Sequence, residues 1–370
     1  SKKATTFHQH EDLSPIKTSA NDELYIHNRP LLTSICTHSL YCPLLRKSPD
    51  RAAETWALHI MDLMDKGYKP QSVILDGLAS LHAGHKLAMK DIHIIYDTFH
   101  IIKDLNDLKR MLRNRQKSTA TNVLTLEAKL DRAKLQSKVR QYKRQLKVAQ
   151  KHAEEAAALF ESISTLSGWI QHDILVVAGY DYKTRVSLMA FITEEFEKLE
   201  SACTHRIRPI RATLQKNVSK LLGFVSNLEA DFVQYADELG CDVYWLWEIC
   251  YAQRYPVSSI KYHQRLQKVR TRLKHKFHEI QSGVIAIMEN IEKASSLVEN
   301  LNGRIRRFMQ GHVTASQETL DLLRFILNNS KFNRSRREHR VGKSPAEILY
   351  DQEQPHWLSL LGYTMFKQAA

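Results

Sequence analysis

Residues 72–100 read SVILDGLASLHAGHKLAMKDIHIIYDTFH, and the fold turns on this stretch. Ser72, Val73, Ile74 and Leu75 make a short apolar run that stops at Asp76-Gly77, the pattern of a buried strand closed by a turn. A helix is predicted over roughly residues 81–89. A second apolar run, residues 92–96, stops at Asp97, and another helix begins near Phe99. Strand, helix, strand at this spacing implies two parallel strands joined by a crossover.

Working back toward the N-terminus, residues 24–26 read as a strand and Asn28-Arg29-Pro30 as a turn. Residues 31–36 and 40–45 read as two further strands around a turn at Thr37-His38-Ser39. Ser48-Pro49-Asp50 is a helix start with Pro in the first turn, followed by Ala53, Trp56, Ile60 and Leu63 at helical spacing. The order β-β-β-α-β-α-β-α, three meandering strands and two parallel additions, is that of a ribonuclease-H-like α/β sheet.

The pattern changes near Arg115. Val139, Tyr142, Leu146, Ala149, Ala153, Ala156, Phe160 and Ile163 recur at alternating spacings of three and four, a heptad seam. Its other faces carry Lys134, Lys138, Arg140, Lys143, Arg144 and Lys147, read as a solvated coiled-coil face or a phosphate-tracking surface. A second stripe, from Tyr262 through Leu266, Phe277, Val284 and Val298 to Phe308, predicts one last long helix. The expected organisation is a tail over 1–19 and an α/β part over 20–115. An all-helical insertion over 116–290 follows, then a return to the α/β part over 291–330 and a basic segment over 331–370.

The chain has 370 residues and a formal net charge of +14. That excess points to a polyanionic partner, because Lys and Arg that neutralise phosphates release condensed counterions. Nucleic acid fits better than a membrane surface, since no short basic amphipathic segment with exposed aromatics stands out. No apolar run approaches the length of a membrane span, and no secretory signal stands at the start. The five cysteines (Cys36, Cys42, Cys203, Cys241, Cys250) are scattered without zinc-site spacing, as expected of free thiols in a reducing cytoplasm. Gly342-Lys343-Ser344 resembles the end of a phosphate-binding loop, but Glu338 stands where its glycine is required. Trp169, Trp245 and Trp247 are expected in the helical core, with stacking on a base at a DNA end as the second reading.

Carboxylates at neighbouring strand ends suit hard, oxygen-ligated ions. The order of elements sets the first and fourth strands side by side, which brings Asp22 to Asp76; a third carboxylate must come from a helix packed on the sheet. Each has a plainer reading: Asp76 ends a strand, Asp22 and Glu23 form a solvated loop pair or cap, and Glu299 is a surface charge beside an apolar stripe.

Several segments resemble those of bacterial insertion-sequence DDE transposases. ILDGLASLHAG (74–84) followed by IIYDTFHIIKDLNDLKRML (94–112) is similar to their second-aspartate region, and ENLNGRIRRFM (299–309) to their third-acid helix. NDELYIHNRPLLTSIC (21–36) resembles the first-acid strand and hairpin. LDLLRFILNNSKFNRSRREHRVGKSPAEIL (320–349) with HWLSLLGY (356–363) resembles the segment beyond the third acid. The helical middle resembles the insertions that some of these enzymes carry.

The resemblance implies that Asp22, Asp76 and Glu299 are catalytic and hold two Mg²⁺ or Mn²⁺ ions, with Asp12 and Asp50 as alternatives for the first acid. It implies that Asp97, His100 and Asn302 support those ligands or position DNA. Glu299, Asn302 and Arg306 fall on one helix face and are expected to point to the same DNA backbone. Arg334, Arg336 and Arg337 are expected to contact phosphate, and Arg307 to face phosphate or solvent. The expected activity is metal-dependent cleavage and strand transfer at transposon ends, by a dimer or larger assembly in the bacterial cytoplasm, at the nucleoid. A nuclease without strand transfer and a catalytically dead DNA-binding or assembly protein are the alternatives. No helix-turn-helix or zinc module for end recognition is evident, and the chain opens on Ser1, as expected of a catalytic fragment or a remnant.

Overall fold

The structure, a computed structural model, describes residues 1–26, 29–291, 296–310, 316–335 and 337–364. Its strands are β1 (Thr18–Ile26), β2 (Arg29–Cys36), β3 (Leu44–Lys47), β4 (Ser72–Leu75) and β5 (His93–Tyr96). Around them lie helices α1 (Lys2–Gln9), α2 (Ala53–Met64) and α3 (Ala79–Ala88). The long helices α4 (Thr98–Asp131) and α5 (Gln136–Trp169) come next, then α6 (Tyr182–Leu199), α7 (Thr204–Lys216), α8 (Val218–Leu221) and α9 (Gly223–Leu239). They are followed by α10 (Val243–Ala252), α11 (Ile260–Leu273), α12 (Phe277–Asn290), α13 (Ser296–Gln310), α14 (Gln317–Asn329), α15 (Pro345–Tyr350) and α16 (Trp357–Leu360). Two compact units result, one of residues 1–99 and 292–370, the other of residues 100–291.

The first unit is a mixed α/β layer structure. Its sheet runs β3-β2-β1-β4-β5. β1 pairs antiparallel with β2 and parallel with β4, while β2–β3 is antiparallel and β4–β5 parallel. Alternation along the strands divides the side chains between two cores. Leu32, Val73, Leu75 and Ile94 pack with Trp56 and Ile60 of α2 and with Leu81 of α3. Their chain neighbours Leu31, Ile74 and Ile95, with Ala20 and Leu24, pack with Val298, Leu301 and Ile305 of α13 and with Leu320 and Leu323 of α14. A strand covered on both faces reads as a continuous apolar run, which is why residues 72–75 are so plain in the sequence.

β1 departs from that rule and carries polar residues inside the sheet. Asn21 is buried, and its Nδ2 lies 2.5 Å from His85 Nε2. His85 Nδ1 is 2.8 Å from the Leu81 carbonyl, which only accepts. Nδ1 therefore carries the proton, Nε2 accepts from Asn21, and the ring is neutral. Burial pushes its pKa down to about 4. Ser19 and Tyr68 share a further buried hydroxyl pair at 2.5 Å on the same side.

Several sequence expectations shift here. β1 begins six residues earlier than residues 24–26, so Asp22 lies inside the strand; its polar start escapes hydrophobic patterning, yet both edges are paired. β3 starts at Leu44 rather than residue 40, because Leu40 takes positive φ (64°) in the turn and Pro43 lacks an N–H to donate. α2 begins at Ala53, with Asp50 Oδ1 accepting from the Ala52 N–H, so Pro49 lies before the helix. Asn28 of the expected turn lies outside the described residues, whereas Arg29 and Pro30 belong to β2.

The C-terminal helices are tied in by polar contacts. The Asn328 amide accepts from Cys42 N–H (2.7 Å) and donates to Cys42 O (3.0 Å), as a paired strand would. Buried Arg324 pairs with Glu11, which also bonds His8 and Tyr41. Burial raises the Glu11 carboxyl, but Arg324 and these hydrogen bonds outweigh it and hold the group at about 2.

The second unit is helical in all its described regular elements. Phe232 and Leu228 of α9, Leu246 and Ile249 of α10, Leu266 of α11 and Phe277 and Ile280 of α12 share one core. The single helix expected from residue 262 to 308 is instead three. α11 ends at Leu273, Lys274 takes positive φ (49°), and α12 folds back so that Gln281 Nε2 donates to Tyr262 Oη at 3.0 Å. α13 then belongs to the first unit. Periodicity records the phase of an apolar stripe and not its continuity, so a reversal that keeps phase leaves no mark. Trp245 and Trp247 pack on this core, but Trp169 is 38% exposed, against Phe191. α4 and α5 lie antiparallel: Gln171 donates to Asn106 at 3.2 Å, and Arg113 covers the Phe160 ring at 5.4 Å.

The neutral His85 gives a signed pH effect. Its folded pKa lies below the unfolded value of 6.5, so its contribution is complete above pH 6.5 and declines as pH falls toward 4. About 3 kcal/mol is lost across that window. Denaturant unfolding from pH 7 to 4 should show this loss, and His85→Gln should flatten that part of the slope. An unchanged slope in the variant would contradict the assignment.

Candidate active site

Asp22 is the fifth residue of β1, opposite Thr33 of β2. The β1–β4 register pairs Asn21 with Leu75, so one further step sets Asp22 opposite Asp76, the first residue after β4. Alternation turns Asp22 to the side of Ala20 and Leu24, the face that α13 covers. There Asn302 Nδ2 donates to Asp22 Oδ2 at 2.7 Å. Asp22 Oδ1 accepts from the Glu23 N–H at 2.8 Å, and Thr33 Oγ1 donates to the Asp22 carbonyl at 3.0 Å. Glu299 stands one turn before Asn302 on α13, and its carboxylate is 3.8 Å from Arg306 Nη1.

Asp76 Oδ1 accepts from the Leu78 N–H at 2.9 Å, and its carbonyl accepts from His82 Nε2 at 2.6 Å. The glycine after it has a steric cause. A Cβ on Gly77 would lie 2.0 Å from Tyr96 Oη, since β4–β5 pairing brings Leu75 beside Tyr96. Asp97 is buried and its Oδ1 accepts from the Phe99 N–H at 2.8 Å, at the start of α4.

Glu23 is not the solvated neighbour its sequence position suggests. It faces away from Asp22, its side chain is 2% exposed, and Oε1 accepts from Trp56 Nε1 at 3.0 Å. Oε2 has no hydrogen-bond partner, with Arg51 Nη1 at 3.8 Å. Burial pushes the Glu23 carboxyl up; Trp56 and Arg51 oppose this, and the charge of Asp76 adds to it. Negative charge is thus concentrated around β1 and the end of β4. Among the described residues, no three His, Cys, Asp or Glu side chains stand close enough to hold an ion as they are.

Asn302 is buried at 1% exposure, its amide turned to the sheet and not outward with Arg306, which is exposed like Arg307. Arg334 is exposed and Arg337 half-buried; Arg336 lies outside the described residues. Arg337 and Arg340 lie near His38, whose imidazole is pushed down first by burial and then by these cations. Arg340 is itself buried and donates to the carbonyls of Thr37 and His38. His38 follows β2, at the end of the sheet where β1 begins, whereas Asp76 follows the far end of β4. The structure therefore does not bring Arg337 to Asp76. His100 is in the first turn of α4 and belongs to the second unit.

The family model DDE_Tnp_ISL3, described as transposase, matches residues 21–237. The chain belongs to this transposase family. The matched stretch contains Asp22, Asp76, Asp97 and His100 and ends before Glu299 and Asn302. No curated protein matches the chain. Family membership makes DNA the substrate class of this transposase, and no described helix is long and apolar enough to cross a membrane.

Glu23, the Asn21–His85 pair and the Gly77–Tyr96 approach carry no spacing signal in the sequence, because each arises between elements. For this transposase, Gly77→Ala should destabilise the fold by about 1–3 kcal/mol, and Tyr96→Phe in that background should restore part of the loss. Denaturant unfolding of the three variants measures it; Gly77→Ala at wild-type stability would rule out the close approach.

Proposed function

We propose that the chain is a DDE transposase whose first unit is a ribonuclease-H-like catalytic domain, acting in metal-dependent DNA strand cleavage and strand transfer. One observation carries the reading. The Asn302–Asp22 hydrogen bond joins the helix that carries Glu299 to the strand that carries Asp22 across 280 positions of chain, and the register that pairs Asn21 with Leu75 supports a place for Asp76 next to that strand.

The donor chemistry fits Mg²⁺ or Mn²⁺: carboxylate oxygens on adjacent strands and a facing helix, in a locus of excess negative charge. Asp22, Asp76 and Glu299 would hold the ions. Two bound ions supply activation of an attacking oxygen and stabilisation of the leaving one. Asn302 fixes the rotamer of Asp22 from the helix side, and Gly77 lets Asp76 sit close against β5. The buried Trp56–Glu23 bond holds β1 from behind. Arg306 tempers the charge of Glu299 and is exposed toward a DNA backbone, with Arg307 beside it. Asp97 and His100, at the start of α4, and Arg334, Arg336 and Arg337 are proposed to position DNA. Family membership supports DNA as substrate; assembly as a dimer or larger on paired ends is part of the proposal.

The test uses duplexes carrying the DNA that flanks the protein's own coding sequence, with Mg²⁺ or Mn²⁺. Nicked and joined products are expected from the wild type. Asp76→Asn, Asp22→Asn and Glu299→Gln should each lower the rate by about a thousandfold, the loss of several kcal/mol of transition-state stabilisation, with DNA affinity retained. Nicks that are never joined would favour a nuclease of the same fold. Cleavage indifferent to Asp76→Asn would refute the reading.

A further inference from the structure

Between residues 129 and 151 the chain carries nine lysines and arginines and one acid, Asp131. That net +8 is more than half of the +14 of the whole protein. These residues occupy the end of α4, the turn after it and the first half of α5. All nine basic side chains are exposed. Of these nine, only Lys151 makes an ion pair with a described residue, Glu155 at 3.8 Å. So much charge of one sign in 23 residues is self-repelling, and its crowding is the feature to be explained.

At 100° per residue, Arg140, Lys143, Arg144, Lys147 and Lys151 fall within about one third of the circumference of α5. The stripe they form is about 16 Å long. The heptad seam lies on the other side of the helix and is occupied within the chain. Phe160, on the seam, is covered by Arg113 of α4, and Ala149, also on the seam, lines a groove with Leu126 and Asn122 of α4. The apolar face is thereby turned to α4 of the same chain; Arg144, at the edge of the basic face, lines that groove as well, and among the described residues the only carboxylate paired with the stripe is Glu155.

We infer that the basic stripe of α5, with the adjoining turn, is a binding surface for the phosphate backbone of duplex DNA, made by residues other than the proposed catalytic carboxylates. The inference rests on DNA being the substrate, but not on metal-dependent chemistry. Two copies of so positive a face would repel each other, which disfavours a self-association surface. Rigid helix presents the charges at fixed spacing, so neutralising several phosphates requires no ordering of backbone.

The experiment measures anisotropy of a labelled random-sequence duplex of about 30 base pairs between about 50 and 200 mM salt. One variant changes Arg140, Lys143, Arg144, Lys147 and Lys151 to Gln. A control changes five exposed lysines elsewhere in the same unit to Gln, Lys183, Lys198, Lys216, Lys261 and Lys268. The stripe variant should bind at least about tenfold more weakly, and the slope of log affinity on log salt should fall by about 4. The control should lose much less. If the stripe variant does not melt like the wild type, Lys143→Gln/Lys147→Gln carries the test, with a fall in slope of about 2.

Equal losses in stripe and control variants would overturn the inference, since net charge alone would then explain binding. So would unchanged affinity, or a change in light-scattering mass with affinity intact, or binding of phosphatidylserine vesicles but not of duplex. Binding by a wild type that never cleaves would sink the proposed chemistry and leave this surface standing. Cleavage by a protein whose stripe variant binds normally would do the reverse.

Discussion

The first unit depends on a polar triplet in its central strand, of which Asn21 and the Glu23 side chain are buried and Asp22 is half-buried. Asn21, Asp22 and Glu23 are consecutive in β1, which is paired on both edges and covered on both faces. Strand alternation sends them to opposite sides, and a polar group so placed is tolerated only with a hydrogen-bond partner. Each finds one on a different element: Asn21 on His85 of α3, Asp22 on Asn302 of α13, Glu23 on Trp56 of α2. Removing any of the three helices would strand a polar side chain in the sheet. The triplet thus specifies which helices belong on which face.

Charge in this transposase is arranged by contrast. Carboxylates gather around β1 and the end of β4, where burial first, and then the charge of Asp76, raises the pKa of Glu23. The C-terminal cations Arg337 and Arg340 gather near His38, at the other end of the same sheet. Arg340 has become a structural clamp on the Thr37-His38 carbonyls. The largest excess of positive charge lies in neither place but on α4 and α5, where among the described residues only Lys151 of the nine cations has an acid partner, Glu155.

Much of the sheet was legible in the sequence because short apolar runs bounded by Asp-Gly and Asp-Thr have few other meanings. Residues 72–75 are β4 as read, and β5 differs by one residue. The errors share a cause. The early start of β1, the late start of β3 and the break between α11 and α12 all occur where local pattern is silent and pairing or packing decides. Of the site, Asp76 was visible as a strand end, and Asn302 was read as a support for the acids or a DNA-positioning amide, but its bond to Asp22, 280 positions away, left no mark in the sequence. Glu23 read as solvated for a similar reason: nothing in its neighbours announces Trp56.

By itself, the sequence determined the alternation of strands and helices, the apolar faces, the basic excess and the segments that mark a transposase, all of which are local properties of spacing and composition. Only the tertiary structure decided the register between the strands, that Asn302 of α13 bonds Asp22 of β1, and that the glycine after Asp76 stands against a tyrosine on the adjacent strand. Those facts depend on contacts between residues far apart in the chain. A hydrogen bond or a close approach needs two partners, and each half carries no signature of the other until folding brings them together.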